Sequence, residues 1–313
     1  MSTAFLFPGQ GSQFVGMGED LYEQIPEARA RFEAADELLG YTLTDLMFGH
    51  HTDDADEAEE ALKQTEVTQP ALYVHSLAAM AVLSNEGLAT DMVAGHSLGE
   101  YSALAAVGVL SFEDGLRVVR RRGELMAEAG DRRPGAMAAV LGVDDETIEE
   151  ICSAVTEQGD GVVQAANFNA PGQIVISGDA DAVNTAMEEM PGRSIPLPVS
   201  GAFHSPLMAY AQDGLAEVLD TVDIQPPRCP VYLNVTARPT TDPDEIRQAL
   251  LDQLLSPVRW AQTLRHMREH GAERFVEVGA GKVLRGLVKR TLGRDVDTVG
   301  AGSADEVAAL AEG

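Results

Sequence analysis

Apolar residues follow two rhythms along the chain. Short continuous runs are bounded by Gly, Pro and Asp, and longer stretches repeat at helical spacing. The first half alternates between them. A strand is predicted over 4–7, then a glycine-rich turn and a helix near 25–39. Thr68-Gln69-Pro70 starts another helix, with proline in its first turn and Gly87 as its stop. Next come a buried strand at Met92-Val93-Ala94, a helix over 98–107 ending before Gly108, and a helix capped by Ser111 that runs to about Ala129.

From Gly135 the order becomes strand, helix, strand, strand, helix, strand. The strands are 136–141, 162–167, 173–177 and 194–199, and the helices are 145–157 and 180–190. That succession is ferredoxin-like. A strand over 231–235, a helix near 243–255 and a strand over 274–278 follow, so the α/β pattern resumes. The predicted organisation is a large α/β domain, residues 1–132 and 204–313, interrupted by a smaller ferredoxin-like unit at 133–203.

At 313 residues the chain can bury a sizeable core. Fifty acidic against 22 basic residues give a net charge of −28, which argues against nucleic-acid binding. Such a surface suits a salt-rich cytoplasm, where ions screen self-repulsion. Melting curves that show no gain in stability between low and molar salt would rule that adaptation out. No signal peptide or membrane-spanning run is evident, so a cytoplasmic protein is expected. Cys152 and Cys229 stand in unrelated contexts and suggest neither a disulfide nor a metal site.

The chemistry concentrates at Gly95-His96-Ser97-Leu98-Gly99. A Gly-x-Ser-x-Gly turn between a strand and a helix exposes the serine hydroxyl at a helix N-terminus. Serine needs a base, and histidine is the usual one. Of seven histidines, His50, His51, His266 and His270 sit in polar surroundings, and His75 lies in an apolar helix. His96 adjoins the serine, where consecutive side chains diverge, so it is expected to shape the pocket. His204 remains, in the stretch 200–206 where the chain returns from the small unit. Two glycine-rich stretches fail as nucleotide sites. Gly279-Ala280-Gly281-Lys282 is followed by Val283 instead of Ser or Thr, and Phe14 stands where a third dinucleotide-binding glycine belongs.

Six segments resemble the malonyl-CoA:acyl carrier protein transacylases. They are Phe7-Pro8-Gly9-Gln10-Gly11-Ser12-Gln13, Gly95 to Ser102, Arg122-Gly123, Ala166-Asn167-Phe168-Asn169, Ala202-Phe203-His204 and Gln253 to Val258, and together they cover essentially the whole chain in order. The resemblance implies an α/β-hydrolase-like core with a ferredoxin-like insertion. It further implies a Ser97–His204 dyad, an oxyanion hole from the backbone N–H groups of Gln10 and Leu98, and a histidine oriented by a main-chain carbonyl near Gln253. Arg122 would hold the malonyl carboxylate, with Phe203 crowding out an α-methyl group and Met126 as a wall. By composition alone Arg122 is only another helix arginine, like Arg120 and Arg121. The implied partners are malonyl-CoA and acyl carrier protein, and the implied enzyme is a monomer without metal or redox cofactor. Two basic clusters could receive an acidic carrier: Arg117, Arg120, Arg121, Arg132 and Arg133, or Lys282, Arg285, Lys289, Arg290 and Arg294. The alternatives are a serine hydrolase or thioesterase, a polyketide-type acyltransferase, and a non-catalytic carrier-binding module.

Overall fold

A computed structural model describes residues 2–159, 161–199 and 201–312. Its strands are β1 (Ser2–Phe7), β2 (Met92–Gly95), β3 (Gly135–Leu141), β4 (Val163–Ala170), β5 (Gln173–Asp179), β6 (Arg193–Pro196), β7 (Val231–Tyr232), β8 (Pro239–Thr240), β9 (Ala272–Val278) and β10 (Asp297–Ala301). They form two sheets. The larger runs β10-β9-β1-β2-β7-β8 and is parallel apart from the β7–β8 pair. Its central strands β1 and β2 are apolar without alternation, as expected where helices cover both faces of a parallel sheet.

The smaller sheet runs β4-β5-β3-β6 and is antiparallel throughout. Helices Asp145–Gln158 and Ala180–Glu189 pack on it around Ile148, Cys152, Ile174 and Ile176. Element order and strand order together are ferredoxin-like, so the α/β reading with a separate small antiparallel sheet holds. The small sheet reaches the rest of the chain through Phe168, whose N–H donates to the Val258 carbonyl, while Val258 N–H donates to Ala166.

Several boundaries differ from expectation, each for a local reason. The helix expected from Thr68 begins at Thr65 and runs to Asn85, so Pro70 lies inside it. The ring removes only the donor that would have reached Glu66, and the helix continues because its flanks are buried. The strand expected over 231–235 stops at Tyr232, which frees Asn234 to turn its side chain toward the serine turn. The strand expected over 194–199 ends at Pro196, and Leu197 and Val199 instead wall a cavity. Helices Trp260–Glu269, Val283–Leu292 and Ala304–Ala311, together with β10, lay in sequence left unassigned. Among the described residues no helix is long and apolar enough to cross a membrane, and no group of three or more His, Cys, Asp or Glu could hold a metal ion.

Candidate active site

Ser97 sits where β2 ends and the helix Gly99–Ala106 begins, at the carboxyl edge of the large sheet. Its φ of 51° is left-handed, a conformation that costs a side-chain-bearing residue about 1–2 kcal/mol. Surrounding contacts enforce it. A Cβ on Gly95 would lie 1.9 Å from the Gly99 carbonyl group, and one on Gly99 would lie 2.0 Å from the Phe7 carbonyl oxygen. Both glycines are therefore required by close approach of backbone. The Ser97 N–H donates to Asn234 Oδ1 at 2.7 Å, and the Ser97 carbonyl accepts from Gln253 Nε2 at 3.0 Å.

His204 lies in the loop between β6 and the helix Ala209–Leu219; of the stretch 200–206, Ser200 is outside the described residues. Its φ is 57°, again left-handed, and Gln164 Nε2 fixes its carbonyl at 2.7 Å. Nε2 stands 2.8 Å from Ser97 Oγ, and Nδ1 is 2.8 Å from the main-chain carbonyl of Gln253. A carbonyl can only accept, so Nδ1 carries the proton and Nε2 is left free to take one from serine. Burial, then the nearby Arg122 guanidinium, push the imidazole from 6.5 down to about 3, which keeps it neutral.

Arg122 projects from the helix Phe112–Arg132 and is 1% exposed. Its Nη1 donates to Gln69 Oε1 at 2.8 Å, and its Nη2 donates to Gln253 Oε1 at 2.8 Å and to Ser97 Oγ at 3.1 Å. The guanidinium rests over the Tyr101 ring, 5.4 Å from its centroid. Among the described residues no carboxylate forms an ion pair with it, and its buried Nε has no hydrogen-bond partner. A buried cation held only by neutral groups is an unfilled anion site.

These groups open on a cavity of about 110 Å³ walled by Met126, Met137, Leu197, Val199 and Phe203. Gln10 and Leu98 line it too, and among the described residues neither backbone N–H donates a hydrogen bond. The Gln10 side chain is tied to Thr65 Oγ1 at 3.3 Å. His96 lines the same cavity, with Nε2 2.7 Å from Asn169 Oδ1 and its ring edge-on to Trp260. Met126 Sδ accepts from Gln69 Nε2 at 3.2 Å. A wider cleft of about 590 Å³ adjoins and shares Gln10, Leu197 and Val199. His75 is wholly buried elsewhere, against the Gly302 carbonyl at 2.8 Å.

Sequence reasoning missed Gln69, Glu100 and Asn234. Glu100 carried a usable signal, since it is the one charged residue in an otherwise small and apolar helix. Gln69 and Asn234 carried none, because their roles depend on elements distant in sequence.

A serine at a strained strand-to-helix turn, joined to a neutral histidine and facing two free N–H groups, defines a serine enzyme of acyl transfer. Residues 4–308 match the family described as acyl transferase domain. A Bacillus subtilis protein named malonyl CoA-acyl carrier protein transacylase is 49% identical over 291 residues, 92% of this chain and 89% of that protein. An acyl-carrier-protein-S-malonyltransferase from Bartonella henselae superposes with a TM-score of 0.92 at 41% identity, over 100% of this chain and 99% of that one. A malonyl-transacylase solved in complex with a type II polyketide acyl-carrier protein gives 0.91 at 38%, over 100% and 99%. The chain belongs to the malonyl CoA-acyl carrier protein transacylases of that acyl transferase family.

Proposed function

We propose that the protein moves a malonyl group from malonyl-CoA to the phosphopantetheine thiol of acyl carrier protein through a Ser97 ester, supplying fatty-acid synthesis. Ser97 Oγ attacks the thioester carbonyl as His204 Nε2 takes its proton. The carbonyl oxygen becomes an oxyanion, received by the N–H groups of Gln10 and Leu98. When the C–S bond breaks, His204 returns the proton to the departing CoA sulfur. The second half runs in reverse: His204 takes the proton of the carrier thiol, the thiolate attacks the ester, and Ser97 recovers its hydrogen.

The observation that carries this reading is Arg122, buried without an ionic partner 3.1 Å from the nucleophile. Its unfilled donors suit a free carboxylate two bonds from the reacting carbonyl. An acetyl group would leave them unpaired, which disfavours acetyl transfer. Phe203 and Met126 close the cavity beside an α-methyl group. The adjoining wider cleft offers the pantetheine arm a route to Ser97.

For the carrier protein, the two basic clusters differ. In the first, Arg117, Arg120, Arg121 and Arg133 are paired with Asp114, Glu124, Glu128 and Asp179, and Arg132 stacks on Tyr210. In the second, Arg285 pairs with Glu277 and Glu306, but Lys282, Lys289 and Arg294 are exposed and form no ion pair among the described residues. The second cluster borders the site, because Gly281 packs against Ser12 in the Gln10 loop. It is the better docking face for an acidic partner.

Intact mass after exposure to malonyl-CoA or acetyl-CoA tests the function. A malonyl adduct is expected that requires Ser97, passes to acyl carrier protein, and is lost in Arg122→Ala. Absence of an adduct, with free malonate accumulating, would favour a hydrolase instead.

A further inference from the structure

Glu100 is wholly buried three residues past the nucleophile; its backbone N–H donates to the Ser97 carbonyl at 3.1 Å, but its carboxylate reaches neither the serine hydroxyl nor the cavity. Its Oε1 accepts from the backbone N–H of Asn234 at 3.1 Å, and its Oε2 accepts from Gln253 Nε2. The same Gln253 Nε2 donates to the Ser97 carbonyl, and Gln253 Oε1 accepts from Arg122 Nη2. The result is an unbroken row: Asn234 N–H, Glu100, Gln253, Arg122.

Both ends of this row are donors that cannot change role. A backbone N–H has no acceptor form, and a guanidinium keeps its protons. Between two fixed donors, a row of two side chains can satisfy every contact only if one of them is acceptor at both ends. Glu100 as a carboxylate is that member. It forces Gln253 to present its NH₂ inward and its carbonyl oxygen to Arg122. With glutamine at position 100, Asn234 would claim the oxygen and the new NH₂ would face the NH₂ of Gln253. Turning the Gln253 amide over would relieve that conflict only by setting donor against donor at Arg122 and taking from the Ser97 carbonyl one of its two donors, the other being the Glu100 backbone N–H.

We propose that Glu100 is a positioning residue that fixes the orientation of the Gln253 amide and thereby holds the Arg122 guanidinium aimed at the substrate carboxylate. The proposal rests on the reading of Arg122 given above. It also accounts for an acid placed where solvation is lost, since a neutral residue would be cheaper to bury there. Burial lifts this carboxyl to about 7, while the donors Gln253 Nε2 and Asn234 N–H and the Arg122 charge pull in the opposite direction, toward the ionised form.

Glu100→Gln, Glu100→Asp and Arg122→Ala, each assayed two ways, test it. Acylation by malonyl-CoA reads the carboxylate site. Inactivation by phenylmethylsulfonyl fluoride, a neutral electrophile, reads the reactivity of the Ser97–His204 pair without a substrate carboxylate to bind. Glu100→Gln is expected to lower kcat/KM for malonyl-CoA about 10- to 100-fold, mainly through KM, the effect of a mismatched charged hydrogen bond. Its sulfonylation rate should stay within about twofold, and Glu100→Asp, still acceptor at both ends, should keep malonyl transfer within about tenfold. An unchanged malonyl KM in Glu100→Gln, or equal loss of both reactions in Glu100→Gln and Glu100→Asp, overturns the proposal. Should Glu100→Gln not fold, the exchange Glu100→Gln with Gln253→Glu restores one all-acceptor member and is expected to fold and react with the sulfonyl fluoride; its failure to do so also counts against. If Arg122→Ala keeps its malonyl preference, the substrate reading itself fails; if Arg122→Ala loses it while Glu100→Gln does not, only the role of Glu100 is refuted.

Discussion

Asn234 spans the nucleophile turn, accepting from the Ser97 N–H at 2.7 Å through Oδ1 and donating to the Gly95 carbonyl at 2.6 Å through Nδ2. One amide thus ties both sides of a turn whose central residue holds φ at 51°. It explains how a serine stays in a left-handed conformation without glycine's freedom.

Replacing that amide leaves a buried donor and a buried acceptor unpaired, each costing about 1–3 kcal/mol. Asn234→Ala is therefore expected to lower the free energy of unfolding in urea by about 2–6 kcal/mol, two such losses together. Ser97 should also relax from its attacking position, with the acylation rate falling at least about tenfold, the equivalent of 1.4 kcal/mol in the barrier. A variant with wild-type stability and rate would show that the glycine contacts alone hold the turn.

Much of this was legible in the chain because it is local. The Gly-x-Ser-x-Gly turn, the cap at Ser111 and the order of strands and helices in the small sheet are written within a few residues of where they act. The row from Asn234 through Glu100 and Gln253 to Arg122 joins residues more than 130 positions apart, and no periodicity records such pairings. The orientation of His204 by the Gln253 carbonyl, 49 positions away, was legible only through the family resemblance and not from any local pattern. The short β7 shows the reverse error: apolar residues continue past Tyr232, but the backbone leaves the sheet because Asn234 is needed elsewhere.

The depressed basicity of His204 has a sign that can be checked. Its folded value of about 3 lies below the usual 6.5, so the imidazole stays unprotonated as pH falls through the range where an ordinary histidine would charge. Sulfonylation of Ser97 by a neutral electrophile should therefore hold its rate from pH 8 down to about pH 5, within the span of that shift. Arg122 is the second cause after burial, so Arg122→Ala should move the acid limb upward. A wild-type rate that drops tenfold per pH unit below 6.5 would mean that burial does not suppress the base.

Carrier docking separates the two basic clusters by experiment. Lys289 and Arg294 are exposed, lie at the end of the helix Val283–Leu292 and beyond, and form no ion pair among the described residues. Reversing both, Lys289→Glu with Arg294→Glu, converts an attractive face into a repulsive one for an acidic partner. The KM for acyl carrier protein is expected to rise about 3- to 10-fold, and the rise should shrink as salt screens the contact. Acylation by malonyl-CoA should change less than twofold or so, because neither residue lines the cavity. Reversal of Arg117 and Arg121 serves as the contrast: those guanidinium groups are already neutralised by Asp114, Glu124 and Glu128, so the carrier KM should barely respond. The opposite ranking would place the carrier on the face of the helix Phe112–Arg132, and the unpaired charges on Lys289 and Arg294 would then have no part in docking.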